Sequence, residues 1–311
     1  MEDFVYNDSF RNNNSEEQQV RGWYRNKVVY YSILFASLLF LVVIAMEKTK
    51  FFMRIIPKLR GEVSLHSGFV ITSISDSYPF IIRKDDPFVG DQLRFTGNVK
   101  SLFAQTANHL VHKGDVVAEI GSHFGYNAIC IGNYLKNNGS YYAIEANTDV
   151  TGYLRKNIII NNLDGVVTII NKAISDQQST YAIDDVLSYY HNPDGSYSSS
   201  KTIIVTSSTL DQELPGANLS LLLVDVPGTS LKILDGAQRI LQDSQNIKVL
   251  ANLDLTNVND TTAMKEFNHL SSQGFQFFEV IAFDKYRKIS SEQIINKKKL
   301  IVVISRHNVG S

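Results

Sequence analysis

The sequence predicts an α/β fold, doubly wound around a mostly parallel sheet, and three observations carry that prediction. Short apolar runs recur at 116–120, 141–144, 166–170, 221–226, 248–253, 277–282 and 300–305. Amphipathic stretches separate most of them, as crossover helices do in a parallel sheet. The runs are nearly continuous rather than alternating, which marks strands covered on both faces.

Taken in order, residues 1–26 are rich in Asn, Glu and Gln and poor in apolar side chains, and they read as a disordered polar tail. Residues 27–47 enclose an uncharged run, 28–46, long enough at about 1.5 Å per residue to cross a hydrocarbon core. Trp23, Tyr24, Tyr30 and Tyr31 near one end suit an interfacial belt. The expectation is a single-pass transmembrane helix with membrane lipid around it. Lys48, Lys50, Arg54, Lys58 and Arg60 outnumber Arg21, Arg25 and Lys27 across the segment, which predicts a cytosolic C-terminal domain. Residues 48–84 read as a juxtamembrane linker and N-terminal extension, and 85–306 as the folded domain.

Within that domain, Phe124, Ala128, Ile131 and Leu135 fall on one helix face after the first strand. Further helices are expected at 151–160, 231–241 and 262–270. The turn formers of 191–200 predict a loop. Little helical periodicity separates the last two strands, which suggests an antiparallel hairpin at the sheet edge.

Composition bounds the function. The 311 residues are 44% hydrophobic and 20% charged, so collagen-like, disulfide-rich and wholly disordered classes are excluded. Thirty basic residues against 31 acidic ones give a net charge of -1, and no nucleic-acid partner is expected from that balance. The one basic run, Lys297-Lys298-Lys299, reads as a solvated loop. The single cysteine, Cys130, cannot form an internal disulfide. Asp184 and Asp185 read as solvated loop carboxylates, since no third metal ligand converges on them.

Ligands of open α/β sheets bind outside the carboxyl ends of the strands. The first strand ends in Glu119-Ile120-Gly121-Ser122-His123-Phe124-Gly125-Tyr126, a glycine turn running into a helix. Glycines there let a backbone approach a ligand closely. The dinucleotide fingerprint G-x-G-x-x-G and the Gly-Lys-Ser/Thr of a P-loop are both missing. The second strand ends Ala143-Ile144-Glu145-Ala146-Asn147. An acid placed there can accept hydrogen bonds from both ribose hydroxyls of a nucleoside, or it can serve the next helix as an N-terminal charge.

These residues resemble class I S-adenosylmethionine-dependent methyltransferases, specifically the FkbM-type family. Its D-V-G-A-N-x-G-Y motif is similar to residues 119–126, and its A-F-E-P-N motif to residues 143–147. Asn157 and Asn161 resemble the family's N-x-x-x-N, and Ala173 the alanine after its third strand. Thr209-Leu210-Asp211 resembles T-L-D, and Asp225-Val226-Pro227-Gly228-Thr229, followed by Leu234-Asp235-Gly236-Ala237, resembles D-V-E-G-A and L-x-G-A. Four positions depart from the pattern: Glu119 replaces Asp, Pro227 replaces Glu, and Thr229-Ser230 replaces A-E.

The resemblance implies a Rossmann-like, seven-stranded methyltransferase sheet with S-adenosylmethionine as cofactor. It implies cofactor contacts from Glu119, Gly121, Ser122, Gly125, Tyr126, Glu145, Asn147 and Ala173, with Glu145 on the ribose. Asp225 is the catalytic candidate, as acceptor contact or base. The implied reaction is methylation of a hydroxyl-bearing acceptor, a sugar, glycan or lipid-linked glycan. The altered residues Pro227 and Thr229 also fit a module that binds without catalysing.

Overall fold

A computed structural model of the chain describes residues 56–191 and 197–309. Residues 63–83, expected within a linker and extension, form an antiparallel sheet of β1 (Val63–Ser64), β2 (Phe69–Ile74) and β3 (Tyr78–Arg83). Phe69, Val70, Ile74, Phe80 and Ile82 are buried in one core with Phe124 and Leu154 of the following domain. The asparagines of the N-x-x-x-N pattern fasten this sheet. Asn157 accepts from the Ile81 N–H at 2.7 Å and donates to the carbonyls of Ile81 and Phe124, both at 2.9 Å. Asn161 donates to the Pro79 carbonyl at 2.8 Å. Asn157 is fully buried, so these bonds also satisfy an amide that water cannot reach.

The chain continues through β4 (Val116–Ile120), β5 (Ser140–Ile144) and β6 (Val167–Ile170). A smaller sheet follows, of β7 (Ala173–Ile174), β8 (Thr180–Asp184) and β11 (Thr202–Ser208), with a hairpin of β9 (Tyr189–His191) and β10 (Tyr197–Ser199) between. The expected loop 191–200 therefore carries short strands at its ends. The chain returns to the central sheet as β12 (Leu221–Val224), β13 (Lys248–Asp254), β14 (Gln276–Ala282), β15 (Lys285–Ile289) and β16 (Lys299–Ser305).

The central sheet has eight strands, in the order β15-β14-β16-β13-β12-β4-β5-β6. Strands β13, β12, β4, β5 and β6 are parallel neighbours, and β16 is antiparallel to both β13 and β14. Alternate residues feed two cores. Val117, Leu221, Leu223 and Leu250 face one, while Ala118, Leu222, Val224, Val249 and Ala251 face the other. Burial on both faces is why these strands read as continuous apolar runs.

Several expectations are corrected. The sheet has eight strands rather than seven because β15 adds an edge beyond β14. The stretch before β16 contains a helix, Ser291–Lys297, opened by a capping box of Ser290 and Gln293. The basic run is mostly exposed but is not a loop: Lys297 ends that helix and Lys299 opens β16, and the three pair with Glu279, Asp260 and, at 2.9 Å, Asp254. The helix expected at 231–241 is two helices, Ser230–Asp235 and Gln238–Asp243. They part at Gly236, where a Cβ would stand 2.0 Å from the Ser175 carbonyl oxygen.

The single-pass membrane placement is corrected as well, because among the described residues no helix is long and apolar enough to cross a membrane. The segment that carried that expectation, 27–47, lies outside the described residues, as does the tail 1–26.

Candidate active site

Three strand ends meet at the carboxyl edge. The turn after β4 closes when the Gly121 and Ser122 N–H groups donate to the Ile144 carbonyl of β5, at 3.0 and 3.1 Å. Gly121 has φ +89°, and a Cβ there would lie 2.8 Å from both the Asp225 carbonyl oxygen and Val226 Cγ2. Only glycine lets the β4 turn sit this close to the end of β12. Gly125, at φ +92°, caps the helix Tyr126–Leu135, and a Cβ would meet Leu154 Cδ1 at 2.4 Å. The local reason for the turn is thus glycine spacing, and the wider one is close packing against Asp225 and Leu154.

Glu145 follows β5 and is 9% exposed. Its Oε2 accepts the His123 N–H and its Oε1 the Asn147 N–H, both at 2.9 Å. Each oxygen keeps a further acceptor site, which matches a vicinal diol with two donors. Asp225 follows β12. Its Oδ1 accepts from Asn252 Nδ2 at 2.9 Å, and burial raises its pKa.

Other expected contact residues hold the scaffold with their side chains. Glu119 is buried behind the turn, where it accepts from Asn127 Nδ2 and the Tyr141 hydroxyl, both at 2.7 Å. Burial pushes its pKa up to about 7. Ser122 Oγ donates to the Glu119 carbonyl at 3.2 Å. Asn147 caps the helix Thr148–Ile160 through Oδ1 and donates from Nδ2 to Asp185 Oδ1 at 2.9 Å. Asp185 is 4% exposed, so it is a buried acceptor for Asn147 and not a solvated loop carboxylate. The Tyr126 hydroxyl turns away from the glycine turn and accepts the Val99 N–H at 3.0 Å. Ala173 lies in β7, paired with Ser207 of β11.

Beside Tyr126 an open depression of about 510 Å³ is lined by amides and rings, among them Asn98, Gln105, Asn108, His109 and Phe283. The His109 and Phe283 rings meet edge to face, 5.8 Å between centroids. Among the described residues no group of His, Cys, Asp and Glu side chains could hold a metal ion. Sequence reading missed Asn252, Asn127, Tyr141 and Asp86. For Asn252 a signal existed: it is an amide within an otherwise apolar strand.

A Rossmann-like sheet with a glycine turn and a buried carboxylate at its carboxyl edge has the architecture of a class I methyltransferase. The model of the methyltransferase FkbM domain matches residues 115–288, and the chain belongs to that family. Its cofactor is S-adenosylmethionine. No curated protein matches the chain. Among solved structures, it is similar to TYW2 of Pyrococcus horikoshii in complex with MeSAdo, at 10% identity over 78% of this chain and 74% of that chain, TM-score 0.43. It is also similar to precorrin-6y C5,15-methyltransferase of Geobacter metallireducens, at 16% identity over 74% and 98%, TM-score 0.36. Likenesses this distant say nothing about the acceptor.

Proposed function

We propose that this chain transfers a methyl group to a hydroxyl oxygen of a polyhydroxylated acceptor, a sugar, glycan or lipid-linked glycan. The observation that carries the reading is the meeting of Gly121, Glu145 and Asp225 at one turn. S-adenosylmethionine supplies an electrophilic methyl on a sulfonium. Gly121 and Gly125 shape the turn beneath the cofactor, and Glu145 holds the ribose diol. Glu119, Ser122 and Asn147 keep that turn and the Glu145 backbone in place, and Tyr126 and Ala173 border the site. Asp225, steadied by Asn252, meets the acceptor hydroxyl, and holding that oxygen in line supplies much of the rate.

Calorimetry on the full chain tests the donor half. Glu145→Ala is expected to weaken S-adenosylmethionine binding about 10–100-fold, the range for losing hydrogen bonds to a charged group. Unchanged affinity in a folded variant removes Glu145 from the site.

A second reading is favoured by Pro227 and Thr229, which are exposed just after Asp225 and offer no acid where the family pattern has one. It is a domain that binds the cofactor without turnover. Label transfer from methyl-labelled cofactor into glycan extracts separates the two, because the second reading predicts none.

A further inference from the structure

We infer that His123, oriented by Asp86, is the base that takes the acceptor's proton during methyl transfer. The inference rests on the methyltransferase reading above and assigns a step within it.

His123 sits between the two halves of the site. Its backbone N–H donates to Glu145 Oε2 at 2.9 Å, on the ribose side. On the other side, the same turn lies against the end of β12: a Cβ on Gly121, two residues before His123, would stand 2.8 Å from the Asp225 carbonyl oxygen. The residue adopts φ +52°, a left-handed conformation that disfavours a non-glycine residue. Such conformations persist where the surroundings impose them. Here they place an imidazole within the glycine turn itself.

The ring has a dedicated partner. His123 Nε2 faces Asp86 Oδ2 at 3.2 Å. Both atoms are buried, and neither has an aligned hydrogen bond to any group. The contact is a close approach of a buried imidazole nitrogen to a buried carboxylate oxygen. Asp86 is itself rigidly placed: its Oδ1 accepts the N–H groups of Phe88, Val89 and Gly90 at 3.1, 2.8 and 3.2 Å. A carboxylate facing Nε2 draws the single proton of the neutral ring to that nitrogen and leaves the Nδ1 lone pair as the basic site.

The neighbouring carboxylates have other roles: Asp225 is the acceptor contact in the reading above, and Glu119 lies behind the turn. Asp225 Oδ1 accepts from Asn252, and Glu119 is bonded to Asn127 and Tyr141. Pro227, Gly228 and Thr229 carry no side chain that titrates near neutrality. In the assigned step the acceptor O–H gives its proton to Nδ1 while its oxygen forms the new bond to the methyl carbon. The carbon–sulfur bond breaks and its electron pair stays on sulfur. The imidazolium, with Asp86 and Asp225 beside it, returns its proton to solvent.

The test compares a cationic ligand with a neutral one on the full chain. Calorimetry of S-adenosylmethionine and S-adenosylhomocysteine is run across the titration of histidine, in two buffers of different ionisation enthalpy. The charged groups facing His123 are Asp86 after β3, Glu145 after β5 and Asp225 after β12, and they are common to both titrations. A sulfonium beside the imidazole disfavours its protonated form. S-adenosylmethionine should therefore expel a proton and lose affinity as pH falls, by up to about tenfold per pH unit relative to S-adenosylhomocysteine. His123→Asn, which tolerates the left-handed backbone, should abolish the difference and keep S-adenosylhomocysteine binding.

Nitrogen NMR of the free protein should show the Nε2–H tautomer, lost in Asp86→Asn. A pH difference that persists in His123→Asn, its absence in the wild type, or an Nδ1–H tautomer overturns the inference and leaves the methyltransferase reading standing. Failure of both ligands to bind the folded protein overturns the two together.

Discussion

At the end of β5 the carboxylate of Glu145 is held by two backbone N–H groups, whereas at the end of β12 the carboxylate of Asp225 is held by one side-chain amide from the next strand. Backbone donors belong to the turn and survive any substitution that preserves its path. A side-chain donor such as Asn252 can be exchanged without moving the chain. On the proposed reading, the donor half of the site is therefore tied to the fold, and the acceptor half is free to change with its substrate. Pro227 and Thr229, beside Asp225, are departures from the family pattern, and they fall in the half that tolerates departure.

The largest effect should come where the halves touch. Gly121→Val places a branched side chain at φ +89° and 2.8 Å from the Asp225 carbonyl oxygen. It should destabilise the fold by about 3 kcal/mol or more, read as a lowered thermal midpoint, and abolish cofactor binding. A variant with wild-type stability would break the claim that the two strand ends are packed as one unit.

Glu119, behind the donor half, should show itself in the pH dependence of stability. Its folded pKa is raised from 4.5 to about 7, so the folded state holds the proton more tightly than the unfolded one. This contribution is full below the unfolded value and is lost as pH rises towards 7. Glu119→Gln should remove that slope in denaturant titrations made across the same pH range. An identical slope in the variant would place the titration elsewhere.

A smaller and more selective effect is expected from Asn252→Ala. Losing one hydrogen bond to Asp225 should lower methyl transfer about tenfold, roughly the worth of such a bond to a charged group. Cofactor affinity should stay within about twofold, because additivity holds for sites that share no partners. Equal losses in both quantities would mean that the halves are not separable.

Much of the fold is legible in the sequence because burial on two faces writes itself as apolar runs. Strands β4, β12 and β13 fall where those runs do. The helix Ser291–Lys297 was hidden by weak periodicity, although its capping box, Ser290 and Gln293, stands in the sequence as S-x-x-Q. The strands at 63–83 were hidden because their apolar face is completed by Phe124 and Leu154, far along the chain. In the site, the glycine turn and Glu145 are legible, since they act through a local backbone path. The pairs Asp86–His123 and Asn252–Asp225 are not, because each joins separate strand ends and exists only once the sheet order is set.

The sequence by itself determined the class of fold, the turn and the carboxylate that follows β5, all of which depend on neighbours a few residues apart. Tertiary structure alone decided which side chains remain free at the carboxyl edge. It turned Glu119, Ser122 and Asn147 towards the scaffold, gave Asp225 its amide and gave His123 its carboxylate. The physical reason is that hydrogen-bond partners of buried polar groups are assigned by strand register and packing, which bring together residues that no local pattern connects.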